Sequence, residues 1–225
     1  YHCADACIGL SPGICVGIKK RSQINKPIAM IPNGCDLEIF KPSLRDNLLL
    51  EGVKPTDKVV IFTGAHGVAN GLDAILDAAA VLKDMGRDDI VLVFVGDGKV
   101  KPHLMERARK EQLDNCKFYA PMPKTELNKL VASADVGLMV LANVPAFYYG
   151  TSPNKFFDYI SSGLPVLNNY PGWLADMIKE DMEYMGPVRL KDVEEAQQKI
   201  VNIIRKLEDS AEIVISRGGG DEIIV

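Results

Sequence analysis

Gly150-Thr-Ser-Pro-Asn-Lys-Phe-Phe-Asp-Tyr-Ile-Ser-Ser-Gly-Leu-Pro-Val166 reads as a loop, a short capped helix, a tight glycine stop and a buried strand. Thr151 or Ser152 offers a side-chain oxygen to cap the helix, and Pro153 suits its first position, where a missing N–H is harmless. Gly163 supplies the stop. Lys155 and Asp158 lie three apart, so they share one face near the helix start. Free backbone N–H groups, the positive end of a helix dipole and a lysine then converge, which is what an anionic ligand requires. The same residues also fit a surface helix with an exposed Lys–Asp pair, which would contribute little.

Outward from this stretch, apolar runs and amphipathic segments alternate back to the start of the chain. Ala6–Leu10 is a short apolar run before the helix-start pair Ser11-Pro12, and Ile28–Ile31 is closed by the turn Pro32-Asn33-Gly34. Val59–Phe62 and Val91–Val95 are continuous and apolar, as expected of strands buried on both faces. Between them Leu72, Ile75, Leu76, Ala79 and Leu82 fall on one helical face, and Gly86 follows. A charged helix over 101–112, a strand over 116–119, a helix over 125–132 and a strand over 136–140 come next. The helix over 154–161 and the strand at Val166-Leu167 complete the series. This rhythm predicts βαβ units: an α/β fold, a Rossmann-like parallel sheet with helices on both faces. Ligands of such sheets bind where strands end and helices begin. Those edges carry Gly64–Gly67, Gly96–Gly98, Ala120–Pro123 and the 150–155 loop, a set that favours a nucleotide-type ligand. The chain has no GxGxxG and no Walker lysine motif, which counts against a dinucleotide or ATP.

Composition bounds the rest. With 225 residues, 47% hydrophobic and 25% charged, the chain folds around a real core. A net charge of −4 argues against binding nucleic acid by bulk phosphate neutralisation. The charge is uneven: residues 1–178 are balanced, whereas 179–225 carry 7 basic and 11 acidic side chains. Cys3, Cys7, Cys15, Cys35 and Cys116 form no CxxC pair and have no clustered histidine. No metal is expected, and a reducing cytoplasm fits best. No apolar run approaches the ~18 residues of a membrane span. Tyr1 stands where an initiating Met would be, as if partway through a longer polypeptide. From Lys179 the rhythm changes. Asp192-Val193-Glu194-Glu195 resembles a capping box, and Val193, Ala196, Ile200, Ile203, Ile204 and Leu207 form one stripe. Glu212–Ser216 and Glu222–Val225 read as a hairpin around a glycine-rich turn. Two units are therefore expected, 1–178 and a helix-and-hairpin tail over 179–225.

Two resemblances follow from ordered motifs. Residues 1 to about 175 resemble the C-terminal, donor-binding domain of retaining GT-B (family 4) glycosyltransferases. The matches, in order, are Ala4–Ser11, Ile31–Asp36 with Phe40-Lys41-Pro42, Thr63–Gly67 with Gly71-Leu72-Asp73, Val95–Gly98, Ser133–Leu138, and Ser152–Lys155 through Tyr159 to Gly163–Val166. The resemblance implies a nucleotide-diphosphate sugar, UDP- or GDP-linked, as substrate, with no cofactor. It places Asp158 at the second Glu of an E-x7-E motif, as a ligand of the ribose hydroxyls. The first Glu falls at Gly150 and is missing. The family's phosphate-clamping Arg and Lys also lack counterparts, Asn70 standing near the Lys position. The phosphates then fall to the amides of Thr151, Ser152 and their neighbours around Pro153, with Lys155, His66 and the Gly64–Gly67 edge. Gly98, Met122 and Pro123 border the base. His66 also fits a hydrogen-bonded loop residue, Trp173 a packing residue, and Asp73 and Asp97 caps.

From about Ala175 onward the chain resembles the C-terminal end of the flagellar motor-switch protein FliG. The run Met177-Ile178-Lys179-Glu180-Asp181-Met182-Glu183-Tyr184-Met185-Gly186-Pro187-Val188-Arg189-Leu190 carries it. Glu180, Asp181 and Arg189 match charged positions of that family's rotor helix. The chain thus has the form of a chimera joined near 173–179. The leading expectation is a glycosyltransferase donor domain for retaining transfer, as in polysaccharide or lipopolysaccharide synthesis. Its acceptor, saccharide or lipid-linked, would need a missing domain, which would also carry any peripheral membrane association. Catalytic residues are unassigned, and turnover by this chain alone is not expected. The alternatives are a motor-switch-like protein-interaction fragment whose acidic tail binds a protein partner, and an α/β domain without activity.

Overall fold

The computed structural model describes residues 4–22, 27–42 and 50–181, and strand residues 214–216 and 222–224. Strands β1 (Cys7–Gly9) and β2 (Ile28–Met30) flank helix α1 (Pro12–Ser22). The main series is β3 (Lys58–Thr63), α2 (Asp73–Asp84), β4 (Ile90–Val95), α3 (Lys101–Lys110), β5 (Cys116–Tyr119), α4 (Lys124–Ser133) and β6 (Val136–Met139). It continues through α5 (Pro145–Gly150), α6 (Asn154–Ser161), β7 (Val166–Asn168) and α7 (Trp173–Asp181). A short 3-10 turn, Val68–Asn70, precedes α2.

β3 to β7 form one parallel sheet in the order β5-β4-β3-β6-β7. The chain steps outward from β3 to β5, then α4 carries it back across to β6. The order reverses between β3 and β6, and helices can splay apart above the carboxyl ends of these two strands. Side chains alternate across the sheet as a strand's two-residue period demands. Val60, Phe62, Leu92 and Phe94 pack on α2 and α3 through Leu76, Ala79, Leu82 and Leu104. Val59, Ile61, Val91 and Val93 face the other way, onto Leu130 of α4, Phe156 and Tyr159 of α6, and Leu174 and Ile178 of α7. Both faces being covered explains why these strands are continuous apolar runs rather than alternating ones.

Two expectations need correction. β1 and β2 pair only with each other, in a two-stranded parallel sheet, and do not extend the main sheet. The 150–155 region is not all loop, because α5 occupies Pro145–Gly150 with Pro145 in its first turn. The hairpin in the tail is present as β8 (Val214–Ser216) and β9 (Glu222–Ile224), antiparallel with Ile215 opposite Ile223. The tail helix expected around 193–207 lies outside the described residues, as do the Glu180, Asp181 and Arg189 side chains and Cys3. Among the described residues no helix is long and apolar enough to cross a membrane.

Candidate functional site

The site is built on the carboxyl ends of β3 and β4. After Thr63 the chain turns through Gly64, and the Gly64 N–H donates to the Val95 carbonyl (2.9 Å). Two residues on, the His66 N–H donates to the Asp97 carbonyl (2.8 Å), and Val100 N–H donates back to the His66 carbonyl (3.0 Å). The two strand-end loops are therefore in backbone contact. A Cβ on Gly96 would lie 2.0 Å from the Gly64 carbonyl oxygen, and one on Gly98 would lie 2.5 Å from that of His66. Only glycine allows this approach, and Gly96 also sits at φ +140°. Lys101 ties the same edge to β5 by donating to the carbonyls of Gly96 and Tyr119 (both 2.7 Å). A cleft of about 290 Å³ opens beside these loops, lined by Gly64, Ala65, Gly96, Asp97, Met122 and Leu127, among others.

On the other side of Gly64 stands α6. Its C-terminal end is a Schellman motif: Leu164 N–H reaches the Tyr159 carbonyl (3.0 Å), Gly163 N–H reaches that of Ile160 (3.1 Å), and Gly163 has φ +73°. Tyr159 is fully buried, and its hydroxyl accepts the Thr63 N–H (2.9 Å) and touches Thr63 Oγ1 (3.0 Å). That bond fixes α6 to the end of β3. Lys155, one turn earlier, extends over the Phe62 ring with Nζ 3.8 Å from its centroid, and donates to Asn70 Oδ1 (3.3 Å). Asn70 is itself held, its amide donating to the Ala65 carbonyl (2.7 Å).

The electrostatics are unusual for so small a region. Burial lowers the Lys155 pKa to about 7. His66 is fully buried, and neither ring nitrogen has a hydrogen-bond partner; burial, followed by Lys101 and Lys155, lowers it to about 4. Burial raises the Asp158 carboxyl, with Lys124 opposing, and Asp158 Oδ1 has no partner. Such unpaired buried polar atoms are rare and call for a reason, of which a ligand is one.

The expected capping is overturned. Pro153, in extended conformation (ψ 129°), is the N-cap residue of α6, and no side chain bonds the helix start. The two hydroxyls have other partners. Ser152 Oγ accepts the Asn33 N–H (2.9 Å), while its carbonyl accepts Asn33 Nδ2 (2.5 Å). Thr151 Oγ1 donates to the Phe147 carbonyl (3.0 Å). The amides of the first turn of α6 are thereby left without side-chain caps. Trp173 packs in the core and donates Nε1–H to the Thr151 carbonyl (2.6 Å), so its packing reading holds. Asp97 bonds the Gly98 N–H (2.7 Å), and Asp73 pairs with Arg107.

Gly64, His66, Asn70 and Lys155 are thus neighbours, and Gly98 closes on His66. Gly67 precedes the 3-10 turn, Met122 lines the cleft, and Pro123 precedes α4. Asp158 lies on the α4 side of α6 near Lys124 rather than against Lys155. Sequence reading placed Gly96 at this edge but gave no site role to Lys101, Asn33 or the Phe62 face. These partners are brought together only by the fold.

A Rossmann-like parallel sheet with helices on both faces and a cleft at the carboxyl ends of its strands is the class of half-molecule found in GT-B glycosyltransferases. Solved structures bear this out at the level of fold. Sucrose-phosphate synthase from Thermosynechococcus elongatus superposes with a TM-score of 0.72 at 18% identity, over 92% of this chain and 51% of that one. Anabaena HepE, solved with UDP and glucose, gives 0.72 at 17% identity, over 92% and 55%. WaaG, a glycosyltransferase involved in lipopolysaccharide biosynthesis, gives 0.67 at 18%, over 91% and 54%. The chain spans about half the length of these structures. The tail has a different likeness. The FliG C-terminal domain family matches residues 165–215. The flagellar motor switch protein FliG of Bacillus subtilis is 65% identical over 60 residues, 27% of this chain and 18% of that protein. FliG of Thermotoga maritima is 62% identical over the same extent. One chain therefore carries two unrelated resemblances.

Proposed function

We propose that residues 1–178 are the donor-binding half of a retaining glycosyltransferase and take a nucleotide-diphosphate sugar at the β3–α6 edge, and that 179–225 are an appended FliG-like segment. The observation that carries this reading is the convergence of unsatisfied polar groups on one edge. The unpartnered His66 ring, Lys155 with its single neutral acceptor and the uncapped first turn of α6 gather at the end of β3, which suits an anion, and Asp158 offers a carboxylate for hydroxyls one turn along. A diphosphate leaving group needs directed N–H donors and positive charge, which the α6 dipole and the ammonium form of Lys155 would supply. The base lies in the cleft between Gly64 and Met122. UDP is favoured over GDP because related folds such as Anabaena HepE have been solved with it. The acceptor, saccharide or lipid-linked, is bound by a second half, and the setting is cytoplasmic polysaccharide synthesis.

Calorimetry with UDP and GDP tests the reading. UDP should bind with a dissociation constant below the millimolar range and GDP more weakly; no heat with either at millimolar nucleotide overturns it. A second reading is favoured by the FliG identity in the tail: a protein-docking segment. Reversing Glu180, Asp181 and Arg189 should then abolish a partner contact while leaving nucleotide binding unchanged.

A further inference from the structure

We propose that the site takes up one proton when it binds its diphosphate and that Lys155 is the group that receives it, a property that rests on the donor-site reading. Lys155 has three N–H donors to place when charged, and the fold gives it one neutral acceptor, Asn70 Oδ1, and one aromatic face, Phe62. No described carboxylate pairs with it. Each charged or titratable group on the elements around it is uncharged, committed elsewhere or of the same sign. From the β3 edge comes His66, uncharged and unpartnered. From the β4 edge, Asp97 accepts the Gly98 amide and Lys101 is held by two carbonyls. On its own helix Asp158 lies towards Lys124 of α4. Half-buried over the Phe62 ring without a counter-charge, the amine holds its proton only to about pH 7.

A diphosphate supplies the missing counter-charge. Its oxygens, seated by Gly64, favour the ammonium form and draw a proton from solvent: amine plus H⁺ becomes ammonium, with no other bond made or broken. The arrangement replaces two permanent cations by one that charges on demand. An arginine at this position could not behave so, since its guanidinium never loses its proton near neutral pH. Binding should therefore weaken with rising pH, by about tenfold per unit above pH 7, because the free site must first acquire the proton.

Titration of the full chain with UDP at pH 8, where the terminal phosphate is fully ionised, in two buffers of different ionisation enthalpy reads the proton directly. Nearly one proton should be taken up per UDP bound. The Lys155→Arg variant should bind UDP with uptake near zero. Binding by the wild-type chain without uptake, or uptake that persists in Lys155→Arg, overturns the inference and leaves the donor-site reading standing. The wild-type affinity between pH 7 and 8.5 gives a second measure that needs no variant, and a flat profile overturns the inference equally. Absence of UDP binding at every pH overturns the donor-site reading, and this inference with it.

Discussion

At Lys155 an ammonium is placed against a ring and a neutral amide, and the same placement that suits an anion burdens the empty protein. Its folded pKa, about 7, lies below the ordinary 10.5, so between these values the unfolded chain holds more protons than the folded one. The penalty is full below pH 7 and disappears as pH rises through 10.5. Lys155→Met should therefore stabilise the ligand-free chain by a few kcal/mol at pH 7 and much less at pH 10, read from urea midpoints. His66 acts in a lower window. Its folded pKa of about 4 lies below 6.5, so stability should decline as pH falls from 6.5 towards 4, by roughly 3 kcal/mol, and level off beneath that. His66→Leu should remove this slope, and acid unfolding of the two proteins compared side by side checks it.

For single elements, α6 is decided by its two ends. Tyr159→Phe should cost about 1–3 kcal/mol, because the buried Thr63 N–H loses its acceptor, and should loosen the contact that places Lys155. Thermal denaturation together with UDP affinity measures both effects. Much of this was legible beforehand. The apolar runs of β3 and β4, the stripe of α2 and the Gly163 stop are local signals, set by periodicity and by a backbone angle that few residues adopt. The caps were not legible. Thr151 and Ser152 have the chemistry to cap α6, but Ser152 instead serves Asn33, 119 positions away, and no local pattern encodes that pairing. Likewise, the Phe62 ring beneath Lys155 and the Asn70 amide beside it come from separate elements. The two-stranded β1–β2 sheet looked like further βαβ repeat because the rhythm records order along the chain and not which strands become neighbours.

For the whole molecule, the two resemblances overlap across β7 and α7. The FliG match begins at residue 165, yet Trp173, Leu174 and Ile178 pack in the core of the main sheet and Ala175 is buried beside them. One apolar stripe thus suits both likenesses. Ending the chain after Gly172 strips those four side chains from the core, and at about 1.5–3 kcal/mol for each large one should abolish cooperative unfolding. Ending it after Asp181 should preserve folding and UDP binding, which calorimetric melts of the two truncations would distinguish. A last consequence follows from the glycine-mediated contact of the Gly64–Gly67 and Gly96–Gly98 loops. Because Gly64, His66 and Val100 donate their amides across that contact, neither rim of the cleft can breathe alone. The three amides should exchange with deuterium at one shared rate, governed by a single opening event, and an occupant of the cleft should slow all three by the same factor.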